Sequence, residues 1–456
     1  MPKYHIARNE GTNNTPLRIA ILTNMQEFRP GYSLTGIIKD QVIMLNAYGH
    51  DVHLFVNTQY HDVEDTGATL HKLMPFCHLH DFQALTELED PKFQSSEGNN
   101  ANYYRDVITQ TTETLTKELQ DFDFVFTHDF IFTGWFMPYG QACLKVGQAL
   151  PHLRWLHWVH SMPGGPRRDY WDITKFGKAH RIVYPNSSDK IRVAEAFNGT
   201  PDDVRVIPHI KDLRTWFEFD PETCKFIDDY PMVAEADIVQ VYPAAADRLD
   251  AKRVREVILI FSRLKKAGRS ACLVIANQWA TTVRHKQNIE NYIKIARRNG
   301  LIPGKDVIFT SEWQVTVDAQ GELHGKYEIG LPKRILRELM QYANLFIFPT
   351  REESFGLVLP EASLAGGVLC VLNKSLLQQI EVSGFTALYF DFGSVKQELT
   401  VINEGTYFQD IATLIIGRMI QNESIMTKTF MRQTYNWNRL YRDCYMPILA
   451  EAEMWI

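Results

Sequence analysis

Residues 348–367, FPTREESFGLVLPEASLAGG, are the stretch on which the reading of this chain turns. They begin at the end of an apolar run, NLFIFP at 344–349, which predicts a buried parallel strand that stops at Pro349 and Thr350. An acidic loop with Glu352 and Glu353 follows, then Phe355-Gly356-Leu357, then Pro360 and Glu361 opening a helix over 361–365. Proline suits the first helical position, where its missing N–H costs nothing. A helix start offers free backbone N–H groups and the positive end of the dipole, so anions are held there. Gly356 lets the backbone approach a ligand closely. Glu353 and Glu361, eight residues apart, place a hydroxyl-binding carboxylate on either side of such an anion.

Outward from this segment, apolar runs and helical patterns alternate, as in parallel sheets covered on both faces. The C-terminal half predicts strands at 238–242 (IVQVY), 271–276, 306–310, 344–349 and 368–372. Helices are expected over 253–267, 287–299 and 333–342. The N-terminal half repeats the logic, with strands at 17–23 (LRIAILT), 51–56, 124–127, 154–159 (RWLHWV), 182–184 and 204–207. Helices are expected over 36–48, 102–119 and 189–197. The polar, irregular stretch 81–101 reads as a peripheral excursion. The fold class is therefore α/β, with two domains. Their expected limits are a flexible lead-in at 1–16, an N-terminal domain at 17–215 and a linker at 216–236. A C-terminal domain at 237–425 and a closing helical segment at 426–456 complete the chain.

Size and composition agree with this plan. The chain has 456 residues, too many for one ordinary core, with 45% hydrophobic and 22% charged residues. The formal net charge of −6 announces no global attraction to nucleic acid, although a local basic face stays open. Six scattered cysteines without a Cys-x-x-Cys pair argue against a zinc knuckle or a disulfide framework. No run approaches the ~20 apolar residues that span a bilayer, and residues 1–16 lack the apolar core of a secretory signal. The expectation is a cytoplasmic protein, with attachment to a membrane surface left open.

The 348–367 segment resembles the Glu-x7-Glu motif of retaining GT-B glycosyltransferases, especially the GT4 family, also called group 1. The resemblance implies two Rossmann-like domains facing an interdomain cleft. It implies that Glu353 holds donor-sugar hydroxyls, that the amides of Phe355, Gly356 and Leu357 line sugar and phosphate, and that Glu361 binds the ribose. A second match, VYPAAADRLDAK at 241–252, places Arg248 and Lys252 where the family clamps the donor diphosphate. Fixed cations there stabilise the charge that grows on the leaving group. The family usually has a glycine before that arginine, and this chain has Ala244-Ala245-Ala246-Asp247. VIFTSEW at 307–313 sits where the family covers the nucleotide base, so Trp313 is expected to border the base. YNWNRLYRDCYMPIL at 435–449 resembles the family's closing aromatic helix, which crosses back onto the N-terminal domain. The likeness is strong from about 237 to 384 and topological over 17–210.

The acceptor half is less informative. His160 ends the RWLHWVH strand, where family members often carry a histidine facing the transferring sugar; His128 is a second candidate and His157 points elsewhere along the strand. Gly31 and Gly36 are candidates for a loop near the phosphates. Asp121-x-Asp123 precedes a strand and reads as coincidental, and the basic turn 164–168 lacks the Lys-Ser/Thr of a phosphate loop. No histidine pair has a metal spacing, so no metal site is expected.

By resemblance the function is transfer of a hexose from a nucleotide-diphospho-sugar to an acceptor hydroxyl, with retention and without a permanently bound cofactor. A UDP-sugar is the first candidate donor and a GDP-sugar the second. The acceptor is left open among glycan, lipid, small molecule and modified DNA base. Rival readings are a phage-type DNA glucosyltransferase, an epimerase or phosphorylase-like enzyme on the same fold, and a non-catalytic sugar-nucleotide-binding protein. Oligomeric state is not legible.

Overall fold

The computed structural model describes residues 16–28, 33–62, 66–76, 101–130, 137–161, 172–317, 323–401 and 403–451. The described residues divide into two compact units: those of 16–211 together with 437–451, and those of 212–436.

The first unit is built on seven parallel strands: β1 Arg18–Leu22, β2 Asp51–Asn57, β3 Thr69–Met74, β4 Phe124–His128, β5 Arg154–Trp158, β6 His180–Tyr184 and β7 Val204–Val206. Their order is β3-β2-β1-β4-β5-β6-β7, so the sheet grows one way from β1 and then the other. That reversal between β1 and β4 is the switch point of a doubly wound Rossmann-type sheet. The central strands are buried on both faces, as their apolar runs require. Edge strand β3, TLHKLM, is largely exposed and lacks an apolar run, so nothing in its pattern predicts it. The helices are α1 Ser33–Ala47, α2 Ala101–Glu118, α3 Met137–Ala149, α4 Ile173–Phe176 and α5 Lys190–Ala196. Gly49, at φ +85°, turns the chain out of α1 in the left-handed conformation that glycine adopts without strain.

The second unit opens with three short helices, α6 Leu213–Trp216, α7 Pro221–Asp229 and α8 Met232–Glu235, of which α7 and α8 lie in the stretch 216–236 read above as a linker. The acidic residues of this stretch are engaged in structure. Asp212 and Asp220 cap α6 and α7. Asp212 and Asp228 flank the buried Arg214 guanidinium at 3.0 and 2.6 Å. Phe226, Ile227 and Val233 join the core beneath.

Two parallel half-sheets follow, the first of β8 Ile238–Ala245, β9 Ala271–Gln278 and β10 Val307–Phe309 in the order β10-β9-β8. Between the halves in sequence lies the antiparallel hairpin of β11 Val315–Val317 and β12 Leu323–Gly325. The second half-sheet is β13 Leu345–Phe348, β14 Leu369–Asn373 and β15 Leu388–Phe390. Strands β8 and β13 lie side by side. Gln240 spans them with its amide, accepting from Ile347 N–H at 3.0 Å and donating to Ile347 C=O at 2.8 Å. Asn344 does the same lower down, accepting from Val239 N–H at 2.9 Å. The composite order is again doubly wound, with its switch point at β8 and β13. Helices α9 Val254–Lys266, α10 Val283–Arg298, α11 Lys333–Met340, α12 Val358–Gly366, α13 Leu377–Val382, α14 Glu404–Ile420 and α15 Glu423–Thr434 cover it.

The chain then re-enters the first unit as α16 Trp437–Leu440, a π-helical turn Tyr441–Tyr445 and α17 Met446–Ala450. Trp437, Leu440, Tyr441 and Tyr445 are buried against α1 and β1. Tyr441 stacks on Tyr48 with ring centroids 3.6 Å apart. No helix among the described residues is long and apolar enough to cross a membrane.

Candidate active site

The carboxyl ends of β8 and β13 meet at the switch point of the second unit, where open α/β sheets bind ligands. The loop after β8 carries Arg248 and Lys252; the loop after β13 is the TREESFGL segment. Arg351 N–H donates to Ala251 C=O at 2.9 Å, tying one loop to the other. Tyr242 Oη donates to Lys252 C=O at 2.6 Å, and Asn288 Nδ2 to Ala246 C=O at 2.8 Å, so the cation loop is anchored from below and from α10. Gln378 of α13 donates to the Glu353 carbonyl.

Beside these loops opens a cavity of about 1290 Å³, lined by Lys252, Glu353, Phe355, Gly356, Leu357 and Glu361 among others. Lys252 Nζ lies 2.6 Å from Glu353 Oε2, with side-chain exposures of 15% and 21%, and 4.9 Å from the centre of the Phe348 ring. Lysine and glutamate thus neutralise one another. Gly356 has φ +80°, and a β-carbon there would sit 3.2 Å from both Glu353 Cγ and the Phe348 ring. Glycine is required by conformation and by space.

Helix α12 starts at Val358, so Pro360 is its third residue and not its first as expected. The consequence is small, because the first four N–H groups of a helix lack intrahelical partners. The N–H groups of Phe355, Gly356, Leu357 and Val358 donate to nothing among the described residues. Glu361 stands exposed in the first turn of α12.

Arg248 is half exposed, 3.5 Å from Glu352, and does not line the cavity. Trp313, expected to border a base, is a core residue only 3% exposed. Its indole donates to Asp229 at 2.7 Å and its ring stacks on Tyr327, so it is turned away from the cavity lining. In the first unit, His160 and His128 lie 2.9 Å apart at the carboxyl ends of β5 and β4. Burial pushes the His160 imidazole down to about 3, with the neighbouring His209 adding to the effect. His157 is fully buried between Thr127 and His180. Asp123 accepts from Arg18 N–H at 2.7 Å, a structural role at the start of β1. Gly36 lies in α1 with open space around it. Gly31, residues 164–168 and the peripheral stretch 81–100 lie outside the described residues.

The sequence reading missed part of the lining. Lys333, Arg334 and Arg337 of α11 add three cations to Lys252, against the carboxylates of Glu353 and Glu361. The i, i+4 spacing of Lys333 and Arg337 was a legible sign that both share one helix face. Phe217, 52% exposed at the end of α6, lines the cavity from the stretch read as a linker.

This unit, a doubly wound α/β sheet with a cation, a carboxylate and free amides at its switch point, has a Rossmann-type fold. No family model and no curated protein sequence matches the chain. Among solved structures, it is similar to a glycosyltransferase from Rickettsia africae ESF-5, at 13% identity over 96% of this chain and 99% of that one, with a TM-score of 0.38. It is also similar to HepE from Anabaena in complex with UDP and glucose, at 13% identity over 95% and 100% of the two chains, with a TM-score of 0.33. WaaG, a glycosyltransferase involved in lipopolysaccharide biosynthesis, aligns over 96% and 99% at 14% identity, with a TM-score of 0.29.

Proposed function

We propose that this protein is a retaining glycosyltransferase that binds a nucleotide-diphospho-sugar in the second unit and moves its hexose to an acceptor hydroxyl. The observation that carries the reading is the cavity that collects Lys252, Glu353, four unengaged backbone N–H groups and Glu361 at one switch point. Lys252 and the amides at the start of α12 suit a diphosphate. Glu353 holds sugar hydroxyls once Lys252 turns to phosphate, and Glu361 holds the ribose. Arg248 approaches from the exposed side of the same loop, and His160 serves the sugar or its acceptor from the carboxyl end of β5. In the transfer, the bond from the anomeric carbon to the phosphate oxygen breaks and the acceptor oxygen takes its place on the same face. The departing phosphate takes the acceptor's proton, and the cations stabilise the charge that remains. A UDP-sugar is the first donor to try and a GDP-sugar the second.

The test is a thermal-shift and donor-hydrolysis screen of UDP-, GDP-, ADP- and TDP-sugars on wild type, Glu353→Ala and Arg248→Ala. One donor should stabilise and be slowly hydrolysed by wild type, and both effects should weaken in the variants. Absence of any shift at millimolar donor would sink the transferase reading.

A further inference from the structure

Four side chains of the first unit form a continuous hydrogen-bond chain that ends on His160. Gln41, on α1 and fully buried, donates through Nε2 to Tyr445 Oη at 2.8 Å. Its Oε1 lies 2.9 Å from His128 Nε2, and His128 Nδ1 lies 2.9 Å from His160 Nε2. An amide oxygen only accepts, so His128 carries its proton on Nε2 and offers a lone pair at Nδ1. His160 must then carry its proton on Nε2. Its Nδ1 is left as a bare lone pair, buried and without a partner among the described residues. Run the other way, the chain would end on a buried Nδ1–H of fixed direction with no acceptor, the costlier orphan. Run this way, the spare donor is the Tyr445 hydroxyl, which is free to rotate.

A second observation points to a ligand at that end. His209 stacks on His160 with centroids 5.1 Å apart, and its Nδ1 is likewise buried and unpartnered among the described residues. Burial lowers the basicity of His128, His160 and His209 alike, so the cluster is a neutral one. His128 and His160 stand at the carboxyl ends of β4 and β5, next to the switch point at β1 and β4. We propose that Gln41, His128 and Tyr445 are positioning residues that lock His160 in its Nε2–H form, so that His160 meets a bound group only as a hydrogen-bond acceptor. The ligand chemistry this selects is a hydroxyl or other neutral donor, not an anion or a carbonyl. On the transferase reading that hydroxyl belongs to the sugar or its acceptor, but the lock itself does not depend on that reading.

The experiment is long-range proton–nitrogen NMR of the ligand-free full chain labelled with nitrogen-15 at histidine, at neutral pH. The His160 signals are assigned by their loss in His160→Gln. Wild type should show one tautomer at His160, with Nε2 protonated and Nδ1 bare. Gln41→Met, of similar shape but without the acceptor, should release it into a mixture of both forms. Gln41→Glu, which keeps an acceptor for His128, should restore the single form. A proton on His160 Nδ1 in wild type, or a mixture there, overturns the proposal. An unchanged single tautomer in Gln41→Met does so too. Because all of this is read without donor, a failed donor screen leaves it standing, and a failed lock leaves the donor site untouched.

Discussion

Replacing Lys252 by alanine separates phosphate recognition from everything else in the cavity. In the free protein its ammonium is 2.6 Å from Glu353 and mostly out of water. A diphosphate that captures Nζ gains a charge-assisted hydrogen bond, worth about 1.5–3 kcal/mol net. The contact it displaces is not wasted, because Glu353 is freed for the sugar. Removing the lysine should therefore weaken binding of a nucleoside diphosphate about tenfold to a hundredfold, at ~1.4 kcal/mol per factor of ten. The parent nucleoside has no phosphate and should bind wild type and variant alike. Titration calorimetry with UDP and uridine, at low and high salt, reads both; Lys252→Arg should retain most of the affinity. Chemical unfolding supplies the control, since a Glu353 left unpaired and mostly out of water costs roughly 1–3 kcal/mol of stability, a loss that does not discriminate between UDP and uridine. If Lys252→Ala binds UDP within twofold of wild type, or loses uridine to the same degree, the lysine is not a phosphate ligand.

Three further outcomes follow from the geometry. Gly356→Ala puts a β-carbon at φ +80° and 3.2 Å from Glu353 and Phe348, so it should cost roughly 1–2 kcal/mol by urea denaturation and displace the Glu353 carboxylate from the donor. Gln240→Leu leaves the N–H and C=O of Ile347 unpaired in the core between β8 and β13, and should destabilise the second unit by roughly 2–5 kcal/mol in calorimetric scans. The third outcome is acid sensitivity of the first unit. Burial holds His50 down to about 4, with Leu17 N–H donating to its Nδ1 at 3.3 Å. Below pH 6.5 the unfolded chain takes a proton that folded His50 refuses, so stability is lost as pH falls towards 4, by about 3 kcal/mol in all. Asp129, pushed up to about 6 by burial, acts in the opposite sense: its contribution is present below pH 3.8 and lost as pH rises through 6. Asp129 thus offsets most of the His50 loss, but burial holds His157, His160 and His180 down in the same way as His50, so the melting temperature should fall between pH 6.5 and 4 in wild type and fall less in His50→Gln.

What the sequence disclosed depends on how far apart the interacting residues stand. The central strands were legible because a parallel strand buried on both faces must be apolar throughout, as in RIAIL and LFIF. The candidate donor segment was legible for a related reason. Strand end, glycine, carboxylate and helix start are consecutive at 348–361, and each has a local physical requirement. The edge strand β3 has no such requirement, since one side of its ladder and most of its side chains meet solvent.

The misreadings have a common cause in partners that arrive from elsewhere. Trp313 looks like an exposed loop residue until Asp229, 84 positions earlier, takes its indole N–H and Tyr327 covers its ring. The stretch at 216–236 looks like a linker until Arg214 and Arg334 collect the charges of Asp228 and Asp220. Gln240 is the instructive middle case. An amide in the centre of IVQVY contradicts the apolar rule for such a strand, and a buried amide must find both a donor and an acceptor. The sequence therefore states that something polar runs beside β8, without saying what. The answer is the Ile347 backbone of β13, whose strand leads one residue past Phe348 into the loop that holds Glu353. The residue that breaks the strand pattern thus aligns the two strands whose loops carry Lys252 and Glu353. Loss of Gln240 should for that reason impair donor binding as well as stability, although its amide touches neither residue.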